Sequence, residues 1–277
     1  PDNESRRTFL ARTGAITTLA STGVIGAYGF RAGLGDIETL EVPVRLSRLP
    51  QHLSGFRIAQ LSDVHIGDIL GQRFLRGVVE QTNRTKPDLI AITGDLVDGS
   101  VEELGPAVAE LAKLKARHGV YFVTGNHEYY SGAESWIAFL RSLGIVVLEN
   151  QRVSIGDGDA SFDLLGVPDH RAWPVAANMQ AAALHRDSGR ELVVLAHQPV
   201  QVKDAIAINA GLQLSGHTHG GQMVPFNLLT SLVQPHIAGL DRAGGNTQIY
   251  TSRGTGFWGP PMRVLAPAEI TSLVLTS

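Results

Sequence analysis

The sequence contains no cysteine. That absence excludes disulfides, thiolate metal sites and cysteine nucleophiles together. Any metal held by this chain must take oxygen and imidazole ligands, which favour manganese, iron, zinc or magnesium over copper(I) and iron–sulfur clusters. A strong charge balance is missing too. The net charge of −3 gives no electrostatic case for a nucleic-acid partner, because strong phosphate-backbone binders carry basic patches. There is no internal repeat of fixed period and no low-complexity tract. What is present is a chain of 277 residues, 43% hydrophobic and 18% charged. That suffices for one sizeable packed domain after an unusual first stretch.

The first stretch reads Ser-Arg-Arg-Thr-Phe-Leu over residues 5–10, followed by a Gly/Ala/Thr-rich apolar run from Gly14 to Phe30. An arginine pair ahead of a mildly apolar segment is similar to the twin-arginine export signal of bacteria. The run is apolar all round rather than on one face, and its length of about 17 residues is near the lower limit for spanning a bilayer. No Ala-x-Ala site precedes Arg31, which favours a retained anchor over a cleaved signal. Arg6, Arg7 and Arg12 precede the run, whereas Asp36 and Glu38 follow Arg31; that asymmetry places the main domain outside the cytoplasm. Residues 1–35 are therefore expected to form a twin-arginine-type signal or membrane anchor with a linker. Residues 36–277 are expected to form the main domain, membrane-associated on the extracytoplasmic side. The chain begins with Pro1 rather than Met, which leaves room for membrane spans upstream.

From Phe56 onward, short apolar runs rich in β-branched residues end in polar motifs, and helical patterns often follow. Phe56–Leu61 leads into Ser62-Asp63-Val64-His65, and Leu89–Ile92 into Thr93-Gly94-Asp95. Val120–Val123 leads into Thr124-Gly125-Asn126-His127-Glu128, Leu192–Ala196 into His197, and Leu212–Leu214 into Ser215-Gly216-His217-Thr218-His219. Val108, Leu111 and Leu114 share a helical face after a break at Gly105-Pro106; Trp136, Ile137, Leu140 and Leu143 share another. This alternation predicts an α/β fold. Gln248–Thr251 and Ile270–Leu275 read as strands with little helix between them. Two mixed β-sheets packed face to face, with flanking helices, fit the pattern better than one parallel sheet.

Each motif follows the C-terminal end of a strand, where α/β sheets bind ligands. His65, His197, His217 and His219 offer imidazole nitrogen, Asp63 and Asp95 charged oxygen, and Asn126 an amide oxygen. These are enough ligands for two cations sharing one carboxylate, a pairing that clamps attacking and leaving oxygens and acidifies water. The glycines beside Asp95, Asn126 and His217 let the backbone turn tightly. Singly the motifs are weak, since Asp-x-His and Gly-Asp are common turn sequences. Their joint order carries the assignment.

That order is Asp63-x-His65, Gly94-Asp95-x-x-Asp98, Gly125-Asn126-His127-Glu128, His197, Gly216-His217-x-His219, and over residues 55–275 it resembles the signature of the calcineurin-like metallophosphoesterases. The arginine pair and the Gly-x-Gly-Phe-Trp-Gly-Pro-Pro segment at 254–261 resemble a membrane-linked bacterial branch, the YkuE- and YaeI-like phosphodiesterases. That branch is similar to enzymes acting on a UDP-diacylglucosamine lipid precursor. The resemblance implies an αββα sandwich and two divalent metal ions. Asp63, His65, Asp95 and His219 would hold the first, and Asp95, Asn126, His197 and His217 the second. It implies in-line attack by a metal-bridging hydroxide on a phosphodiester or phosphoanhydride, with a lipid head group as one candidate substrate. His127 would be the general acid or phosphoryl stabiliser. Asp98 would support the ligands without being one. Glu128 stands where many relatives carry Asp.

Around the motifs, Tyr129-Tyr130, Arg171-Ala172-Trp173, Pro225-Phe226 and Arg253 through Trp258 combine aromatic and cationic groups. Arg253 is the candidate to hold a phosphate oxygen, because guanidinium matches that geometry. His52, His118, His170 and His185 read as surface residues, and His236 could approach the site from its loop. The competing readings are a metal-poor, inactive binding module on the same fold, and a nuclease, which needs a basic path that the sequence lacks. A purple acid phosphatase fits less well, since Gly99 follows Asp98 where that chemistry has a tyrosine ligand.

Overall fold

The strands in the first half of the chain are β1 (Glu38–Arg45), β2 (Phe56–Leu61), β3 (Leu89–Thr93), β4 (Val120–Val123), β5 (Val146–Val147) and β6 (Gln151–Asp157). The second half adds β7 (Ala160–Gly166), β8 (Leu192–Leu195), β9 (Leu212–Ser215), β10 (Gly239–Gly244), β11 (Thr247–Thr251) and β12 (Glu269–Thr276). They come from a computed structural model that describes residues 2–158 and 160–277. One sheet has the order β1-β12-β2-β3-β4-β5, with β2 to β5 parallel and β12 antiparallel to β2. The other has the order β10-β11-β9-β8-β7-β6, with a parallel centre and antiparallel edge strands. Two mixed sheets with helices outside are the expected α/β architecture.

The period of two along each strand explains the layering. In β2, Phe56 and Ile58 enter the core between the sheets, while Ala59 and Leu61 enter the outer core. In β8, Val193 and Leu195 point between the sheets, and Leu192 and Val194 point outward. Strands apolar on both faces must be covered on both. The covering helices of the first sheet are α2 (Gln72–Arg84), α3 (Val101–Val108) and α5 (Ala133–Ser142), whose Val78, Val108, Trp136 and Leu140 complete its outer core. The short α4 (Asn126–Ser131) lies between α3 and α5 in the chain. The second sheet is covered by α6 (Met179–Ala182) and α7 (Val202–Ala207) through Met179 and Ala205.

The expected break at Gly105-Pro106 falls inside α3 instead. Ser100 caps the helix and Glu103 closes a capping box, which fixes the start upstream of the proline. The helix then tightens into a 3-10 turn over Ala109–Lys113.

Residues of the N-terminal stretch form one helix, α1 (Asp2–Gly33). Among the described residues no helix is long and apolar enough to cross a membrane. The expected spanning role of the Gly14–Phe30 run is thus not met by α1, because Thr17, Thr18, Ser21, Thr22 and several glycines dilute its hydropathy. α1 exposes Phe9, Leu10, Ile16, Leu19 and Val24, and it meets the sandwich near its end. There Gly29 O accepts from Arg263 N at 2.9 Å, Gly29 lies against the Met262 side chain, and Gly33 lies so close to the Pro261 and Met262 backbone that no Cβ fits.

Trp136 is fully buried in the outer core and its Nε1 donates to Gly99 O at 2.9 Å. Trp136→Ala is expected to lower stability by about 3–5 kcal/mol, measured by urea unfolding. A loss below about 1 kcal/mol would show that this core does not depend on it.

Candidate metal centre

Asp63 and His65 follow β2, Asp95 and Asp98 follow β3, and Asn126 and His127 open α4 after β4. His197 follows β8, and His217 and His219 follow β9. Hydrogen bonds across the sheets draw these ends together. His197 Nδ1 lies 2.8 Å from Thr93 O, and His217 N donates to both Asp63 oxygens at 2.9 and 3.0 Å. Among the described residues three groups that could hold a metal ion result: Asp63 with His65 and His219, Asp95 with His197 and His217, and His65 with Asp98 and His127. The candidate atoms within each lie within 4.8 Å of one another, and the first two groups carry the expected ligands. Asp95 Oδ2 stands 3.1 Å from His197 Nε2 and 4.0 Å from His65 Nε2, between the two groups. His65 Nε2 and His219 Nε2 are 3.1 Å apart.

The residues fit metal cations. Asn126 Oδ1 is buried and receives no hydrogen bond. A buried acceptor without a donor is costly, and a cation would satisfy it. Asp63 and Asp95 are both buried, and like charges so close need positive charge between them. The donor set of carboxylate, imidazole and amide oxygen suits manganese, iron, zinc or magnesium.

The backbone is strained where the ligands sit. Asp63, His65, Asp95, His217 and His219 all have positive φ, from 49° to 70°. Non-glycine residues in that region cost about 1–3 kcal/mol each and persist where side-chain chemistry requires them. The glycines beside them serve close approach. A Cβ at Gly125 would collide with the Asp95 carboxylate, and one at Gly216 with Ser62 and the Asp63 carboxylate.

Asp98 joins the metal ligands to the expected acid. It accepts from His65 Nδ1 at 3.0 Å and from His127 Nδ1 at 2.5 Å. Glu128 does not orient His127. It is fully buried and accepts from the backbone of Asp95 at 3.0 Å, Leu96 at 2.7 Å and Gly125 at 2.6 Å, so it holds the turn that presents Asp95. Asp95 Oδ1 in turn accepts from His127 N at 2.9 Å.

Arg253 is placed differently from its expected phosphate-holding role. Its Nε donates to Glu269 at 2.5 Å and its Nη2 to Glu38 at 3.0 Å, so its charge is committed to β1 and β12. Arg171 lies on the loop after β7, exposed and within electrostatic reach of His217. His236 pairs with Asp241 at 2.8 Å, His118 packs on Phe56, and His52, His170 and His185 are exposed. Arg263 was not legible as a site residue. It is wholly buried, donates to the carbonyls of Arg253, Gly256 and Ala266, and places Nη2 3.4 Å from His219 Nδ1. Only the folding of its loop back onto His219 reveals it.

Burial dominates the electrostatics, and neighbours decide the sign. Burial raises the pKa of Asp63 against the lowering effect of His197 and His65. For Asp95 the burial penalty is outweighed by the charge and hydrogen bond of His197, which hold it well below the usual carboxylate range. Burial also opposes ionisation of Asp98, yet hydrogen bonds from His127 and His65 bring it to about 2. Burial and the His197 charge push His217 down to about 3. Burial, then His65 and Arg263, push His219 well down. Both are therefore neutral donors near neutrality. Burial pulls His197 down, but Asp95 raises it well above the ordinary value. Burial likewise pulls His127 down, and the Asp98 hydrogen bond with the charges of Asp95, Asp98 and Glu128 raises it overall.

A catalytic-type metal site at the strand ends of a double sheet is the arrangement of a phosphoester hydrolase. Residues 56–221 match the family model of the calcineurin-like phosphoesterases, and the chain belongs to this family of metal-dependent phosphoesterases. An uncharacterized metallophosphoesterase of Helicobacter pylori is 40% identical over 89% of this chain and 66% of that protein. The uncharacterized metallophosphoesterase YkuE of Bacillus subtilis is 34% identical over 99% of this chain and 98% of that protein. The chain spans 60–66% of the length of several of the curated relatives it matches. A crystal structure of a dimetal phosphatase from Danio rerio shares the fold with TM-score 0.51 and 13% identity, covering 81% of this chain and 100% of that one.

Because His197 has a raised pKa, it carries a proton near neutrality before a cation binds, and ligation must release that proton. Affinity for manganese or zinc is therefore expected to rise with pH, by about tenfold per unit for each proton released, until the raised pKa is passed. Titration calorimetry in buffers of different ionisation enthalpy measures the release directly. Heats that do not vary with the buffer would contradict it.

Proposed function

We propose that this chain hydrolyses a phosphodiester or phosphoanhydride bond with two divalent cations, on a substrate presented at a membrane surface. The observation that carries the catalytic part is the meeting of two ligand groups around Asp95 beside the His127–Asp98 pair. Asp63, His65, Asp95 and His219 would hold one cation, and Asp95, Asn126, His197 and His217 the other. When bound, such cations polarise the phosphoryl oxygens and acidify water.

The chain's own groups supply the rest. His127 gives Nδ1 to Asp98, which leaves Nε2 to face the substrate. Its Asp98 hydrogen bond and the carboxylate charges nearby raise its pKa, the direction that favours a proton donor. In the reaction a water oxygen bonds to phosphorus and the ester P–O bond breaks. His127 protonates the departing oxygen, and the water proton passes to solvent. Asp98 holds His65 and His127 through one carboxylate, so ligand and acid keep a fixed spacing.

Exposed apolar surface supports the membrane part. The helix α8 (Phe226–Val233) buries none of its residues, with Phe226, Leu228, Leu229, Leu232 and Val233 all exposed. It follows the His219 turn closely, and α1 adds Arg6, Arg7 and Arg12 among exposed apolar residues. Apolar helices with nearby arginines suit the interface of an anionic bilayer without crossing it. Residues 1–35 would then be a membrane-associated arm, and residues 36–277 the catalytic domain on the extracytoplasmic side. A lipid-linked phosphate is the substrate class this placement favours.

Metal-stripped full-length protein is expected to turn over bis-p-nitrophenyl phosphate only after manganese, zinc or magnesium is restored. His127→Ala should cost about 10²- to 10⁴-fold and Asp95→Asn should remove metal-dependent turnover. The wild-type rate should fall at alkaline pH as His127 loses its proton. Turnover that ignores metal, or that survives both substitutions, would sink the catalytic reading. For the membrane part, the protein should float with vesicles containing anionic phosphatidylglycerol, and Leu229→Ser with Leu232→Ser should weaken flotation. Equal flotation of the variant, or none for the wild type, would remove it.

A further inference from the structure

His127 is flanked by two aromatic rings that are themselves open to solvent. The Tyr130 ring lies 5.3 Å from the imidazole at 65°, and the Trp258 ring 6.1 Å from it at 76°. Tyr130 is 71% exposed and Trp258 57%. Positions 127 and 130 share a face of α4 through their spacing. Trp258 arrives from a distant loop, yet it is fixed in place. Its backbone N–H donates to Gln222 Oε1 at 2.9 Å, and its backbone carbonyl accepts from Gln222 Nε2 at 2.8 Å. Gln222 is buried and stands at the end of the turn that begins with His219. Beside Tyr130 and His127 opens a cavity of about 370 Å³, lined also by Asp98, Gly99, Ser100 and Ser131. That volume is in the range of small-ligand sites.

We propose that Tyr130, Trp258 and this cavity form a leaving-group subsite that takes an alcohol carrying a planar ring. The inference rests on the reading of His127 as proton donor to the departing oxygen. That oxygen must come within hydrogen-bond reach of His127, so the group attached to it meets the surfaces nearest the imidazole. Those surfaces are the two rings and the cavity. Each exposed aromatic face leaves favourable stacking unmade until a flat partner arrives. A small alkyl alcohol has no face to offer them. The Gln222 clamp orders the backbone that carries Trp258, so the ring is presented from a held loop and less order has to be created on binding.

The test compares two metal-binding inhibitors that differ only by a ring, phenylphosphonate and methylphosphonate, against bis-p-nitrophenyl phosphate hydrolysis by the manganese-loaded full chain. The wild type is expected to bind the phenyl compound about three- to tenfold more tightly. That ratio should shrink in Tyr130→Ala and in Trp258→Ala, vanish in the double variant, and largely persist in Trp258→Phe. Trp173→Ala, which removes another exposed aromatic, should keep the whole ratio. A wild-type ratio of one, or a ratio that survives the double variant, would overturn the subsite. If no turnover is seen, the reading of the reaction fails separately. Calorimetric titration of the manganese-loaded protein with the same two phosphonates then decides the subsite by the same ratios.

Discussion

Asp63 and Asp95 are buried at the ends of the adjacent strands β2 and β3. Like charges this close, in a medium of low dielectric, repel strongly unless positive charge lies between them. Much of the surrounding architecture answers that constraint. Imidazoles from both sheets converge on the carboxylates, and Asn126 brings an acceptor with no hydrogen-bond donor. A cation resolves both problems, and that is the physical content of a metal centre built by this fold.

Holding such charges in place takes support from beyond the ligands. The backbone amide of His217 holds Asp63, and that of His127 holds Asp95. Glu128 gathers three backbone N–H groups behind the Asp95 turn, and burial with the Asp95 charge raises its pKa to about 7. Arg263 collects carbonyl oxygens behind His219. Five ligand residues are kept in the left-handed region. A site with this much strain is stable only because the double sheet overdetermines it, and the three apolar cores supply that rigidity.

Outside this rigid centre the surface changes character. The ligand turns are anchored to strands, whereas exposed Tyr130 and Trp258 stand beside His127, and α8 exposes an apolar face. The fold thus separates a fixed reaction centre from variable contacts on loops, a division that lets one scaffold serve different substrates. The end of α1 rests on Pro261 and Met262, a few residues beyond Trp258 in the chain.

The strands that end in the candidate ligands, and the double-sheet architecture, were legible in the sequence, because each motif ends an apolar run and a period of two or 3.6 survives in one dimension. Phe56–Leu61 and Val120–Val123 are strands over the spans the pattern gives. The helix start at Ser100 was obscured by Gly105-Pro106, where a capping box overrode the proline. The hairpin of β6 and β7 and the edge strand β1 carry too weak a pattern to be read locally. What tertiary structure alone decided is which polar groups meet. Glu128 turned to backbone amides rather than to His127, Arg253 was claimed by Glu269 and Glu38, and Arg263 came to lie behind His219. The candidate ligands follow from residue chemistry and order along the chain. Partner choice depends on distances between residues far apart in sequence, and only packing sets those distances.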